Sequence, residues 1–312
     1  MDNEEDRVSM PLVNTIEMLH KAQSGQYAVC ALNAENLEML QAIIAAAENC
    51  QAPIIVQTTP ATIVYAGNGY TPIKHRLGEI PGYRFQGLRY FFYMAYAAAD
   101  AAAIPVALHL DHGDSFVLTD EAIKAGYTSV MIDGSHMSFY DNVGITRQVA
   151  DAAHRAGRSV EGEIGVVGGK EDDLICSIAD SYTDPVQAAR FASMTGVDSL
   201  AVGIGTSHGF YASKPNVDIY RLARIRDTVP IPLVLHGGTG IPEDTIRSCI
   251  ENGICKVNYA TELRAAYTAA VRQKLGEDAS IVDVKVYSEA GRLAVLELSE
   301  QKIKLCGSEN KA

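Results

Sequence analysis

Short, almost wholly apolar runs recur along the chain. Each is followed by a polar or glycine-rich stretch and then by an Ala/Leu-rich segment with helical spacing. The runs fall at residues 27–32, 53–56, 104–110, 129–132, 159–164, 199–204, 231–235 and 254–257. Runs that are apolar on both faces predict strands covered on both sides, and helices between them predict parallel crossover connections. Residues 36–49 place Leu37, Leu40, Ile43 and Ile44 on one helical stripe, with Asn36 as the N-cap. Segments 184–193 and 242–251 open with residues suited to a helix start. Ala125-Gly126 and Asn252-Gly253 stand where helices should end before the next strand. Eight such units predict an α/β fold, a (β/α)8 TIM barrel. No GxGxxG follows the first strand, which removes a dinucleotide-binding reading.

Two segments exceed a minimal barrel. Residues 61–87, rich in Gly and Pro, predict a long inserted loop after the second strand, on the face where barrel active sites lie. The tail beyond residue 276 predicts an amphipathic helix at about 289–305, either folded back or packed on a neighbouring subunit. Residues 1–10 read as a disordered N-terminal extension. The 312 residues would accommodate two domains by length, but eight units make 1–312 one barrel domain.

Charge narrows the function. Lys and Arg total 26 against 38 Asp and Glu, a net −12, without the basic stripe a nucleic-acid binder needs. No apolar run approaches the ~18 residues of a membrane span, and the acidic start is unlike a signal peptide, so a cytoplasmic protein is expected. The six cysteines form no CxxC pair and read as reduced core residues, not zinc ligands.

Polar residues at the C-terminal ends of barrel strands point into the active site. Three of the eight histidines fall there: His112 behind Asp111, His208 before Gly209, and His236 before Gly237-Gly238-Thr239-Gly240. Three imidazoles converging on the axis suit Zn²⁺, which keeps one open position in catalytic sites. His109 lies two residues before Asp111, one layer deeper, and reads as structural. His20, His75, His136 and His154 read as non-catalytic. The glycine turn after His236 and the stretch Asn258-Tyr259-Ala260-Thr261 each open a helix, where backbone N–H groups favour an anion; the same glycines would also serve as plain turn caps. Gly168-Gly169-Lys170-Glu171-Asp172-Asp173 reads equally as a hinged loop carrying a carboxylate or as solvated surface. Asp133 and Glu163 end the fourth and fifth strands, placed to support the ligands or hold a second metal. A metal, a phosphate cradle and a carboxylate suit carbon–carbon bond chemistry or isomerisation on a phosphorylated ketone, with metal-assisted hydrolysis also open.

At these residues the chain resembles the class II, zinc-dependent ketose-bisphosphate aldolases of fructose and tagatose type, over about residues 12–307. The resemblance rests on Leu108-His109-Leu110-Asp111-His112-Gly113, Met131-Ile132-Asp133-Gly134-Ser135-His136, Glu161-Gly162-Glu163-Ile164-Gly165 with Gly168-Gly169-Lys170-Glu171-Asp172, Gly205-Thr206-Ser207-His208-Gly209, Leu235-His236-Gly237, and Asn258-Tyr259-Ala260-Thr261-Glu262-Leu263. It implies that His112, His208 and His236 bind one catalytic zinc, that Asp111 exchanges the C4 hydroxyl proton, and that Glu171 moves the proton at C3. It further implies that Gly209, Gly237, Thr239, Asn258 and Thr261 hold the C1-phosphate and nearby hydroxyls. Asn33 would contact substrate, and Arg264 would contact the far phosphate. A Na⁺ or K⁺ ion near the phosphate loops and a homodimer or homotetramer are also implied.

Where the family has Ser in the phosphate turn, Thr239 keeps the hydroxyl. Asn258 to Glu262 resembles the tagatose type, whereas Arg264 and Asp111-His112-Gly113 lean to the fructose type. The expected reaction is reversible cleavage of a ketose 1,6-bisphosphate to dihydroxyacetone phosphate and glyceraldehyde 3-phosphate. The alternatives are an aldolase for another carbohydrate phosphate, such as 6-phospho-5-dehydro-2-deoxy-gluconate, and a non-catalytic phosphosugar-binding protein.

Overall fold

The computed structural model describes residues 11–67, 82–171, 174–176, 182–211 and 215–312, with backbone alone for Tyr83, 168–171 and 174–176. The predicted extension 1–10, most of the Gly/Pro-rich insertion and Asp172-Asp173 lie outside the described residues.

Helix α1 (Thr15–Gly25) leads into β1 (Val29–Asn33), α2 (Leu37–Asn49), β2 (Ile54–Thr58), α3 (Pro60–Ala66) and α4 (Tyr83–Ala101). Then come β3 (Val106–Gly113), α5 (Phe116–Ala125), β4 (Ser129–Ile132), α6 (Phe139–Arg155) and β5 (Ser159–Ile164). A small excursion, β6 (Gly168–Glu171) and β7 (Leu174–Cys176), precedes α7 (Pro185–Thr195) and β8 (Ser199–Val202). The remainder is β9 (Ser207–His208), α8 (Ile219–Arg226), β10 (Leu233–Leu235), α9 (Glu243–Glu251), β11 (Ile254–Tyr259), α10 (Thr261–Glu277) and α11 (Val284–Leu305). Strands β1, β2, β3, β4, β5, β8, β10 and β11 pair in chain order and close through β1–β11, an α/β TIM barrel as predicted. Outside it, β6 pairs antiparallel with β7 and parallel with β9.

The elements begin and end where local chemistry dictates. Asn36 Oδ1 accepts the Met39 N–H at 2.9 Å, and Asp184 Oδ1 accepts from both Val186 and Gln187, so α2 and α7 start one residue after these caps. Such caps contribute about 1 kcal/mol each. Gly126, at φ 111°, ends α5 in a left-handed turn that a side chain would strain.

Three expectations change. The supposed loop 61–87 is helical at both ends, because Thr59 caps α3 with Pro60 at its first position, and α4 begins at Tyr83. The last helix begins at Val284, five residues early, because Asp283 accepts the Lys285 N–H. It folds back on its own barrel: Ala28 N–H donates to the Cys306 carbonyl and Asn310 N–H to that of Cys50. The sixth barrel strand stops at Val202, and His208 sits beyond it on β9.

The barrel interior grades from apolar to polar along its axis. Parallel register aligns Val29 with Lys256, Ala31 with Ile55 and Asn258, Asn33 with Gln57, and Gln57 with His109. At the lower end Val29, Ala31, Ile55 and Ala107 pack on Met18 and Leu19 of α1, which plugs the barrel. Above them Gln57, His109, Asp111, Glu161, Glu163, His236 and Lys256 are all buried. A barrel is ordinarily filled by branched apolar layers. Polar groups this deep require dedicated partners.

Candidate active site

The three strand-end histidines are brought together in the structure. Ligand-capable nitrogens of His112, His208 and His236 lie within 4.8 Å of one another, and the rings meet edge to face, with His112 centroids 5.0 and 4.7 Å from the other two. His112 adopts φ 48°, a left-handed backbone uncommon for a side-chain-bearing residue, at the irregular end of β3. Its Nδ1 lies 2.8 Å from Asp133 Oδ2, and His236 Nε2 lies 2.8 Å from Glu161 Oε1. Each carboxylate takes the N–H of its ring. That leaves His112 Nε2 and His236 Nδ1 facing each other at 2.9 Å. Lone pairs so aimed demand a shared proton or a cation, and a set of three imidazoles with carboxylates behind them fits zinc.

The carboxylates behind the histidines are themselves held ionised. Burial alone would raise Asp133, but the hydrogen bond and charge of His112 and the Ser135 N–H outweigh it and hold the group well below the usual range. Glu161 is likewise opposed by burial and held low by the Lys256 ammonium, 2.8 Å from its Oε2, and by His236. Burial, more than any neighbour, lowers His236 and keeps the ring neutral, as a ligand must be. His109 is lowered further by burial and by Lys256; its Nδ1 meets Ser129 Oγ at 2.7 Å, the structural role its sequence position implied. Glu163 Oε2 stands 3.6 Å from His236 Nδ1, and His112, Asp133 and Glu163 form a second cluster of ligand-capable atoms.

Asp111, on β3, is clasped by amides from three consecutive strands. Asn33 and Gln57 donate to Oδ2 at 3.2 and 3.0 Å, and Asn258 donates to Oδ1 at 3.1 Å. Gln57 also donates to Asn33 Oδ1 at 2.7 Å, which fixes the orientation of both amides. Oδ1 therefore keeps the greater remaining acceptor capacity, on the side of His112 Nε2 at 4.0 Å.

Above this floor opens a cleft lined by Asn33, Asp111, His208, Gly209, Gly237, Thr239, Asn258, Ala260, Thr261 and Arg264. Nine of these ten were singled out in the sequence. Gly237 has φ 68°, and a Cβ there would stand 2.4 Å from the Ser207 carbonyl, so only glycine lets β9 lie against the turn after His236. Tyr211 secures the contact: its hydroxyl accepts the Ser207 N–H at 2.8 Å and donates to the Gly237 carbonyl at 3.0 Å. The backbone of Glu171 ends β6, which pairs through Gly169 with His208; its side chain is outside the described set.

Sequence reasoning missed Gln57, Glu161, Lys256 and Tyr211. The first three carried a signal, Glu161 and Lys256 as polar residues inside otherwise apolar strand runs and Gln57 as the polar residue directly after one, where a barrel interior tolerates them only with a partner. Tyr211 carried none.

The sequence profile described as fructose-bisphosphate aldolase class-II matches residues 13–311. Among solved structures, the chain is similar to the YdjI aldolase of Escherichia coli K12, with 34% identity, TM-score 0.80, and coverage of 96% of this chain and 99% of that one. It is also similar to a candidate fructose-1,6-bisphosphate aldolase of Coccidioides immitis, with 28% identity, TM-score 0.83, and coverage of 96% and 97%. The fructose-bisphosphate aldolase Fba of Campylobacter jejuni shares the fold at TM-score 0.81 and 21% identity, over 98% and 99% of the chains.

Proposed function

The chain belongs to the class II fructose-bisphosphate aldolase family, and on that premise we propose that it is a zinc-dependent aldolase acting on a ketose 1,6-bisphosphate of fructose or tagatose type. The observation that carries the proposal is the convergence of His112 Nε2 and His236 Nδ1, with His208 beside them, next to an Asp111 clasped by three amides. Zinc held by His112, His208 and His236 would supply Lewis-acid polarisation of the substrate carbonyl.

In cleavage, Asp111 takes the C4 hydroxyl proton as the C3–C4 bond breaks. The bond's electron pair passes into the ketose C2–C3 unit, C4 leaves as the aldehyde, and Glu171 delivers a proton to C3 to give dihydroxyacetone phosphate. Condensation runs the same transfers backwards. Asn33 and Asn258 orient Asp111 from both sides, and Gly209, Gly237, Thr239 and Thr261 receive the C1-phosphate. Asp133 and Glu163 serve the metal site, Asp133 by fixing the His112 tautomer and Glu163 as a neighbouring carboxylate.

The test is a panel of fructose 1,6-bisphosphate, tagatose 1,6-bisphosphate and 6-phospho-5-dehydro-2-deoxy-gluconate, given to the zinc-loaded protein with and without EDTA. Triose phosphate release from one epimeric bisphosphate, abolished by EDTA, is expected. No cleavage of any ketose phosphate, with no effect of EDTA on binding, would sink the reading.

A further inference from the structure

We infer that Tyr211 is a positioning residue for the metal centre: its phenol ties the strand that carries His208 to the turn that follows His236. The inference rests on the zinc-aldolase reading above. The three histidines are not held alike. His112 lies on barrel strand β3, and His236 directly follows barrel strand β10. His208 stands beyond Val202, the last residue of β8, on the short strand β9. Among the described residues β9 pairs only with β6, outside the barrel. A backbone ladder to the barrel therefore sets the place of two imidazoles and not of the third.

One oxygen supplies the missing connection. Ser207, the residue before His208, donates its N–H to the Tyr211 hydroxyl at 2.8 Å. The hydroxyl donates in turn to the carbonyl of Gly237, the residue after His236, at 3.0 Å. The polarity is fixed, because an N–H can only donate and a carbonyl can only accept. The far side of this bridge is itself anchored to the barrel: Gly238 N–H donates to the Asn258 carbonyl of β11 at 3.1 Å. The path from β11 through the glycine turn and Tyr211 to Ser207 thus carries the rigidity of the barrel to the histidine that lacks a ladder.

Chain geometry delivers the phenol. Gly209 adopts φ 88°, a left-handed turn directly after His208. Past that turn Phe210 faces solvent, 67% exposed, while Tyr211 is partly buried and packs on the core. A Cβ at Gly240 would stand 3.5 Å from the Tyr211 ring, so the ring lies against the glycine turn that its hydroxyl binds. Asp133 and Glu161 orient the rings of His112 and His236. Tyr211 does the equivalent for His208 by fixing its backbone. Partners that orient metal ligands are commonly worth about 10–100-fold in metal affinity.

Zinc affinity, measured by competition with a chelator, reads this without turnover. Tyr211→Phe keeps the ring and removes both hydrogen bonds, so zinc binding should weaken about 10–100-fold. The metal-free variant should melt within about 4 °C of the metal-free wild type. His208→Ala weakens zinc binding on its own. In that background Tyr211→Phe should change the affinity less than about twofold, because the phenol has no third ligand left to place. Unchanged zinc affinity in Tyr211→Phe overturns the proposal. So does an equal loss with and without His208, or a metal-free variant that does not fold, since either makes the phenol a strut of the fold. Failure of the zinc-aldolase reading is seen separately, in a wild-type protein that binds no zinc.

Discussion

Asn258 Nδ2, on the last barrel strand, lies 3.1 Å from Asp111 Oδ1, on the third. Between them stand Asn33 and Gln57, and both donate to the other oxygen. The carboxylate cannot rotate without breaking three bonds, and its one under-used lone pair faces the histidines. Asp111→Ala should therefore lower kcat by 10²–10⁴, a loss of ~2.7–5.5 kcal/mol of transition-state stabilisation, with zinc content unchanged. Steady-state triose phosphate release measures it, and a loss under tenfold would remove Asp111 from the proton transfer.

Gln57 offers a finer test. Gln57→Met fills the buried volume but withdraws one donor from Asp111 and the bond that orients Asn33. Cleavage should slow about tenfold, or ~1.4 kcal/mol. Solvent exchange of the C3 proton of dihydroxyacetone phosphate, which does not use Asp111, should stay near the wild-type rate. If both steps slow together, Gln57 supports the fold and does not position the base.

The architecture and the cluster of three histidines were legible because each depends on local pattern. Apolar runs announce strands, and His112, His208 and His236 stand where runs stop. What was not legible depends on register across strands. Lys256 looks like a solitary charge in Ile254-Cys255-Lys256-Val257 until the barrel closes and brings it to Glu161, 95 positions earlier. The Tyr211 bridge exists only because Gly237 lets two loops touch. The ends of the insertion conceal their helices because Gly and Pro ordinarily signal loops, whereas here Pro60 at the first turn starts α3 and Gly87 lies within α4.

Metal removal should be visible in stability as well as activity. The inward nitrogens of His112 and His236 sit 2.9 Å apart, an arrangement that a bound cation relieves. A ligand that binds only the folded state stabilises it by mass action. Zinc should raise Tm above that of the chelated protein by several degrees in a scanning calorimeter. His236→Ala should abolish that difference, and a zinc-independent Tm in the wild type would contradict the ligand assignment.

The pair between Lys256 and Glu161 is fully buried at 2.8 Å, and breaking one side strands the other. Lys256→Met should destabilise the fold by about 3–5 kcal/mol in urea unfolding, because an uncompensated carboxylate is left inside the barrel. Adding Glu161→Gln should recover part of that loss. A double variant as unstable as the sum of the two singles would mean that the pair is not coupled.

Alkaline pH should unfold the protein through its buried thiols. Burial pushes Cys249 up to about 12 and Cys255 up to about 11. In the unfolded chain a thiol loses its proton near pH 8.5. Above that pH the folded state holds more protons than the unfolded one, so stability falls as pH rises. The contribution is complete below about pH 8.5 and is lost progressively until the folded values are reached. Each thiol then costs ~2 kcal/mol by pH 10, from ~1.4 kcal/mol per pH unit. Urea unfolding at pH 7.5, 9 and 10 should show a loss of ~1 kcal/mol per thiol at the second point and ~2 kcal/mol at the third. Cys249→Ala will be less stable at pH 7.5, because it opens a cavity, but should lose about 2 kcal/mol less than the wild type between pH 8 and 10. Equal losses in the two proteins would show that Cys249 does not drive the alkaline transition.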